Sequence, residues 1–354
     1  MQAWQLNPDT RSLELADLPD PVARRGAVTV RVEAAMVLSY MAEVLTGARG
    51  ESHPERAFVP GTNAVGTITG IGDGIYHLQV GQRVSLHPHM VARERVRTPA
   101  QILMGHVARN GPAAESLQDD WVDGAFAEQV EWPAAQVTPI DALGDLPAAQ
   151  ALALAKLVVP YGGLLRVGLQ AGECVAVNGA SGFYGAGGVL VAPALGASSV
   201  IAVGRNAAAL QTLAALDNRV VPFALSGDGE ADTEGLRAAS QGGVDVALDI
   251  VGAASAASTI SVMRSLHRGG RMAMMGSCAE PLTINFAEIL INDWLIAGQF
   301  MYPESAVAQL VRLTAAGQLN LLACQPRSFP LAQLEAAMTH ATTMKGLDLT
   351  AVVP

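Results

Sequence analysis

Residues 174–205 constrain the fold of this chain more than any other stretch. A short apolar run, Val175-Ala-Val-Asn, meets Gly179-Ala-Ser-Gly182-Phe-Tyr-Gly185, a Gly-x-x-Gly-x-x-Gly turn. A run of small residues follows, and a second apolar run, Val200-Ile-Ala-Val, ends in Gly204-Arg205. Strand, turn, helix and strand thus fall in order within about 30 residues, as a βαβ unit requires. In such a unit the glycines let the backbone turn sharply and approach a pyrophosphate, which the helix N-terminus meets with free N–H groups and its dipole. The spacing departs from Gly-x-Gly-x-x-Gly, so the order of the elements carries this reading rather than the triplet alone. Ser181, Gly182, Phe183 and Tyr184 lie in the turn with backbone amides toward the phosphates.

The tip of the second strand distinguishes between cofactors. An Asp or Glu about 20 residues on accepts hydrogen bonds from the ribose 2′-hydroxyl of NAD. Here Gly204 stands 19 positions past Gly185, followed by Arg205 and Asn206. Glycine leaves room for a 2′-phosphate and a guanidinium pairs with it bidentately, so the expected cofactor is NADPH. A solvated arginine at a strand end is the plain alternative.

At 354 residues the chain exceeds a single core, and two domains are expected. Half of its residues are apolar and only 15% are charged, which describes a well-packed α/β protein. A net charge of −10 argues against nucleic acid or an anionic membrane as partner. The three cysteines form no CxxC pair, so neither a disulfide framework nor a thiolate zinc site is indicated. The start of the chain has no basic and apolar leader pattern, and a cytoplasmic location is expected.

The first 90 residues read as β-rich, with period-two alternation over Val28–Ala34 and short glycine-bounded strands at 66–72 and 81–86. Segment 92–122 is polar, bears arginines and shows little periodicity, so it reads as an excursion; residues 124–140 return to strand. Helical spacing begins at Leu146. Strands are then expected at 174–178, 199–203, 220–223, 244–250 and 270–276, with helices between them, an alternation that means a parallel, doubly wound sheet. A helix is expected near 303–317, and the strand at Leu349–Val353 should rejoin the first domain.

This order of parts resembles the medium-chain dehydrogenase/reductase superfamily over nearly the whole chain. The matching pieces include Pro60-Gly-Thr-Asn-Ala-Val-Gly66, Val80-Gly-Gln-Arg-Val84, Asp123-Gly-Ala-Phe-Ala-Glu128, the glycine turn, Asp245-Val-Ala-Leu-Asp249-Ile-Val-Gly252 and Gly269–Gly276. The resemblance implies a GroES-like, β-rich catalytic domain (1–150 and 299–354), a Rossmann domain (151–298), a small-molecule substrate held at their junction, and a homodimer formed through the Rossmann sheet edge. It places Val251 with Gly252, and Gly276 with Ser277, at the ribose and nicotinamide, and Phe300 with Met301 at the carboxamide.

Zinc-dependent members of that family carry Cys, His-Glu and Cys ligands where this chain, aligned by motif, has Leu38, Thr62-Asn63 and Ala155. None is a strong Zn²⁺ ligand, and segment 92–122 lacks the four cysteines that hold a structural zinc in such members. The chain therefore resembles the zinc-free, quinone-oxidoreductase-like branch, with no metal expected. A rival set of histidines, His87 and His89 with His53 or His106, lacks ligand spacing. Without a Lewis acid, hydride should go to a quinone or to an α,β-unsaturated carbonyl, whose negative charge is delocalised. Tyr40 stands where zinc members carry a proton-relay hydroxyl, and Lys156 and Asn63 lie near the vacated place. These three are the catalytic candidates, although Tyr40 can equally pack, Lys156 can reach solvent and Asn63 can cap a turn. Two further readings remain: an enoyl-thioester reductase using Arg93, Arg95 and Arg97, and a non-catalytic NADPH-binding redox sensor.

Overall fold

The computed structural model of the protein describes residues 1–48, 53–92, 96–106, 111–252 and 255–354. The chain divides into two compact units. Unit 1 holds Met1–Ala155, Cys324–Met344 and Asp348–Pro354; unit 2 holds Lys156–Ala323 and Lys345–Leu347.

In unit 1, β1 (Gln2–Leu6) and β2 (Leu13–Asp17) form a hairpin. The alternating segment at 28–34 lies within β3 (Ala27–Met36), which pairs antiparallel with β4 (Ala64–Ile71); β4 pairs with β5 (Arg83–Leu86). Segment 92–122 has more structure than its composition suggested. The strands β6 (His89–Val91) and β7 (Gln101–Leu103) pair as a hairpin leading into it, and Pro112–Asp120 is a helix, after the short α1 (Met41–Thr46) the second of the chain, α2. Pro112 at its first position suits a helix start, a local signal that the lack of periodicity hid. β8 (Gln129–Pro133) returns to pair with β3, and β9 (Val137–Pro139) closes on β5. α3 (Ala148–Ala151) ends the first pass of the chain through this unit.

Unit 2 begins within α4 (Ala153–Arg166). Among the described residues one helical run, Ala148–Arg166, is long and apolar enough to cross a bilayer, but 83% of its most apolar window is buried inside the protein. There follow β10 (Cys174–Asn178), α5 (Phe183–Ala194), β11 (Ser199–Gly204), α6 (Ala207–Ala214), β12 (Val220–Ala224), α7 (Gly229–Ala239), β13 (Val244–Asp249), α8 (Ala257–Arg264), β14 (Leu266–Met274), α9 (Phe286–Ile291), β15 (Leu295–Gly298) and α10 (Ala306–Ala315). The six strands are all parallel in the order β12-β11-β10-β13-β14-β15. Every residue of β10 is buried, as expected of a strand covered by helices on both faces. β14 starts four residues before the expected strand at 270, because the Arg264–Ser265 end of α8 runs straight into it.

The second crossing between units falls at 323/324 rather than at 298/299. The reason is packing: α10 buries Ala306, Val307, Leu310 and Val311, and Gln309 accepts a 2.7 Å hydrogen bond from the Tyr161 hydroxyl of α4. β16 (Gln325–Pro330), α11 (Leu334–Ala341) and β17 (Asp348–Val353) belong to unit 1, where β17 pairs with β16 and β3.

Candidate nucleotide and substrate sites

The glycine turn of unit 2 lies between β10 and α5. Gly179 and Ala180 donate to the Val203 carbonyl of β11 at 3.1 and 2.9 Å, which anchors the turn on the sheet. Gly179 adopts φ +84°, and a Cβ on Gly185 would lie 2.0 Å from the Gly179 oxygen. The turn therefore closes only with glycine at these two places. Gly182 is the N-cap of α5 and provides no side-chain cap, so the first amides of the helix are left to an external acceptor.

A cavity of about 530 Å³ opens beside this turn, lined by Asn178, Gly179, Ser181, Gly182, Gly204, Arg205, the 225–229 loop, Val251 and Gly252 among others. It sits at the carboxyl ends of parallel strands, where open α/β sheets bind ligands. Gly204 is buried, and a Cβ there would meet the Ser181 hydroxyl at 3.2 Å. Arg205 is exposed at the rim. Asn206 differs from the expectation of a direct ligand: its side-chain oxygen accepts from the Ala209 amide at 3.1 Å and caps α6. A Cβ on Gly276 would lie 2.2 Å from the Val251 oxygen, so the turns after β13 and β14 touch through that glycine. Ser277 and Phe300 are exposed, and Phe300 is not among the residues lining the cavity.

Three polar residues of unit 2, Asn178 and Asp249 at strand ends and Asp232 in the first turn of α7, were not singled out in the sequence. The Asn178 amide donates to Asp249 at 3.3 Å and to Ser258 at 3.2 Å, and the Val251 amide also donates to Asp249. Burial pushes the Asp249 carboxyl above its ordinary pKa. Asp232 accepts from Ser226 N and Oγ and from Gly227 N, at 2.7, 2.8 and 3.2 Å, and so shapes the loop opposite Arg205. Position offered the only signal for Asn178 and Asp249, since both end apolar strand runs.

Lys156 departs from the picture of an ammonium offered to substrate. It is fully buried within unit 2, where Nζ donates to the Gly346 carbonyl at 2.6 Å. The cause is its position on α4: the helix side that carries it is enclosed rather than facing solvent.

In unit 1 the other candidates gather on neighbouring segments. The Gly61 amide donates to the Gly105 carbonyl at 2.9 Å, and the Gly61 carbonyl accepts from Ala125 at 3.0 Å. A Cβ on either Gly105 or Gly124 would come within 2.0 Å of that carbonyl oxygen, so the three chain segments are in direct backbone contact. Thr62 is buried there, and its hydroxyl has no hydrogen-bond partner among the described residues. Such a group costs about 1–3 kcal/mol unless a water or ligand oxygen satisfies it. Asn63 is buried; its side-chain nitrogen donates to the Leu86 carbonyl at 3.4 Å, while its backbone carbonyl accepts from the Met36 amide at 2.9 Å. Tyr40, half-buried at the start of α1, lies edge-on to the His106 ring with centroids 6.1 Å apart.

The donor set does not fit zinc. Leu38 and Ala155 are buried apolar residues, and Thr62 and Asn63 offer neutral oxygens. Among the described residues no group of three or more His, Cys, Asp or Glu side chains could hold a metal ion. Three of the four histidines of the rival set have hydrogen-bond partners elsewhere, and the fourth, His106, packs against Tyr40. His87 pairs with Thr138 at 3.0 Å, His89 with Gln101 at 3.2 Å, and His53 with Arg11 and the Val44 carbonyl. Burial drives the His87 imidazole down to a pKa of about 3. Arg93 and Arg95 lie outside the described residues; Arg97 is exposed.

Unit 1 is β-rich and unit 2 carries a six-stranded parallel sheet with a glycine turn, and sequence comparison supplies the family. The chain belongs to the medium-chain dehydrogenase/reductase superfamily: residues 24–142 match the alcohol dehydrogenase GroES-like domain and residues 185–316 match the zinc-binding dehydrogenase family. Among its relatives is an L-threonine 3-dehydrogenase of Bacillus subtilis, 26% identical over 330 residues, 91% of this chain and 89% of that protein. An alcohol dehydrogenase of Geobacillus stearothermophilus is 25% identical over 346 residues, 90% of each chain. The crystal structure of AibC superposes with a TM-score of 0.81 at 21% identity, covering 100% of this chain and 96% of that one, a likeness of fold.

Proposed function

We propose that this oxidoreductase is an NADPH-dependent, zinc-independent reductase that delivers hydride to a quinone or to the activated C=C of an α,β-unsaturated carbonyl. The observation that carries the reading is the donor set of unit 1: Leu38, Thr62, Asn63 and Ala155 stand at the places of metal ligands in zinc-dependent relatives, and none supplies a thiolate, imidazole or carboxylate. The two named relatives are dehydrogenases of L-threonine and of alcohols; simple alcohol oxidation asks for a Lewis acid at the alkoxide, which this donor set does not hold.

NADPH is favoured by Gly204 and Arg205 on one rim of the cavity, where a carboxylate would repel the 2′-phosphate. When bound, the reduced nicotinamide supplies the hydride. The chain's own residues bind and orient. The Ser181–Tyr184 amides hold the pyrophosphate. The Tyr40 phenol donates a hydrogen bond to the acceptor oxygen as charge builds there, and Asn63 holds the Met36 and Leu86 strands beside it. The proton at the α-carbon comes from water. We place the enzyme in the cytoplasm, acting on a small molecule without nucleic acid or membrane.

The test is NADPH oxidation against a panel of quinones, enones and enoyl thioesters. Turnover of a quinone or enone supports the proposal. Turnover of thioesters alone favours the enoyl-thioester reductase, and tight NADPH binding with no turnover favours a redox sensor. For the assembly we propose a homodimer through the β15 edge. Phe286, Leu290, Ile291 and Leu295 there are 52–77% exposed, an apolar patch beside an open strand. Sedimentation should show a dimer that Leu290→Glu converts to a monomer; a monomeric parent protein would refute it.

A further inference from the structure

Lys345–Leu347 belongs to unit 2, although the chain through Met344 and again from Asp348 belongs to unit 1. A three-residue visit needs a local cause, and the hydrogen bonds supply one. The Gly346 amide donates to the Ser181 carbonyl at 3.2 Å, in the middle of the glycine turn. The Gly346 carbonyl accepts from Lys156 Nζ at 2.6 Å. That same Nζ stands 3.9 Å from the centroid of the Phe183 ring, and Phe183 is the first residue of α5. Its ring in turn packs edge-on against Tyr184, centroids 4.9 Å apart. Lys156 therefore reaches the turn by two routes, once through Phe183 and once through Gly346 and Ser181.

The residues so held lie at the N-terminus of α5, whose first amides Gly182 leaves without a side-chain cap. Carbonyl and ring each orient the ammonium, and the ammonium holds each of them in return. An ammonium 3.9 Å from the ring of the first residue of α5 and the dipole of that helix favour the same kind of ligand, an anion. The long side chain is fully buried, so its geometry is set by packing rather than by solvent.

We propose that Lys156 is a positioning residue for the nucleotide pyrophosphate, clamping Phe183 and Gly346 so that the Ser181–Tyr184 amides keep their direction and adding a buried positive charge beside them. This rests on the nucleotide reading of unit 2.

Calorimetry with two probes tests it: ADP-ribose, which carries a pyrophosphate, and adenosine 2′-monophosphate, which does not. Lys156→Met should weaken ADP-ribose about tenfold while adenosine 2′-monophosphate changes less than about twofold. Lys156→Gln, which keeps a donor toward Gly346 without the charge, should weaken ADP-ribose by about threefold. If Lys156→Met does not fold, Phe183→Leu removes the ring beneath the ammonium, keeps the lysine, and should give the same split. Unchanged ADP-ribose affinity, or equal losses of both probes, overturns the inference. Parent protein that binds neither ADP-ribose nor NADPH overturns the nucleotide reading itself, a distinct result.

Discussion

The glycine turn of unit 2 and the Tyr40–Thr62–Asn63 region of unit 1 are both places where this superfamily keeps chemistry, and the chain treats them in opposite ways. In unit 2 the backbone is closed so tightly that a single methyl on Gly185 would meet the Gly179 oxygen at 2.0 Å. The requirement is geometric, and it survives any change of substrate. In unit 1 the scaffold is equally tight, with Gly105 and Gly124 against the Gly61 carbonyl, yet Leu38, Thr62, Asn63 and Ala155 are none of them strong metal donors. A rigid frame can thus be retained while the group it presents is exchanged. The shape of the glycine turn is set by the frame, whereas the chemistry open to unit 1 is set by the side chains it displays.

The contrast can be broken or sharpened in order of effect. Gly185→Val should reduce nucleotide affinity on the order of a hundredfold, read by fluorescence titration, because backbone must move to admit the side chain. Affinity within a few-fold of the parent would show that the turn is not the phosphate site. Arg205→Glu should weaken NADPH about thirtyfold and NADH less than about threefold; equal losses would return Arg205 to a solvated strand end. On the displayed side, Tyr40→Phe should slow turnover about tenfold with NADPH affinity unchanged. Identical kinetics would make Tyr40 a packing residue against His106.

The smallest effect concerns the frame of unit 1. Burial lowers the His87 pKa from 6.5 to about 3, so between these values the unfolded chain binds a proton that the folded chain refuses. Stability is complete above pH 6.5 and is lost as the pH falls through the window, with a slope approaching about 1.4 kcal/mol per pH unit. His87→Gln should flatten that slope in thermal unfolding; an unchanged slope would assign the acid lability to other groups.

The alternation of apolar runs made the parallel sheet of unit 2 legible, and the strands β10, β11 and β13 fall within a residue of where Val, Ala and Ile clusters place them. The helix α2 was not legible, because nine residues at a surface with Ala114 and Gln118 buried leave no long apolar stripe. For the candidate sites, the closed glycine turn was legible because Gly179 and Gly185 are fixed by backbone geometry. The burial of Lys156 was not legible, because its contacts include a carbonyl 190 residues away and an aromatic ring, neither of which leaves a pattern in sequence. Asn206 has the same lesson on a smaller scale: a residue next to a cofactor tip can be committed to capping its own helix.

We propose that hydride transfer here proceeds without a metal. Its most direct measurement is the steady-state rate of NADPH oxidation with a quinone or enone acceptor, taken before and after exhaustive dialysis against a chelator and again after Zn²⁺ is restored. The account expects one rate throughout. A rate that vanishes on dialysis and returns only with zinc would contradict it.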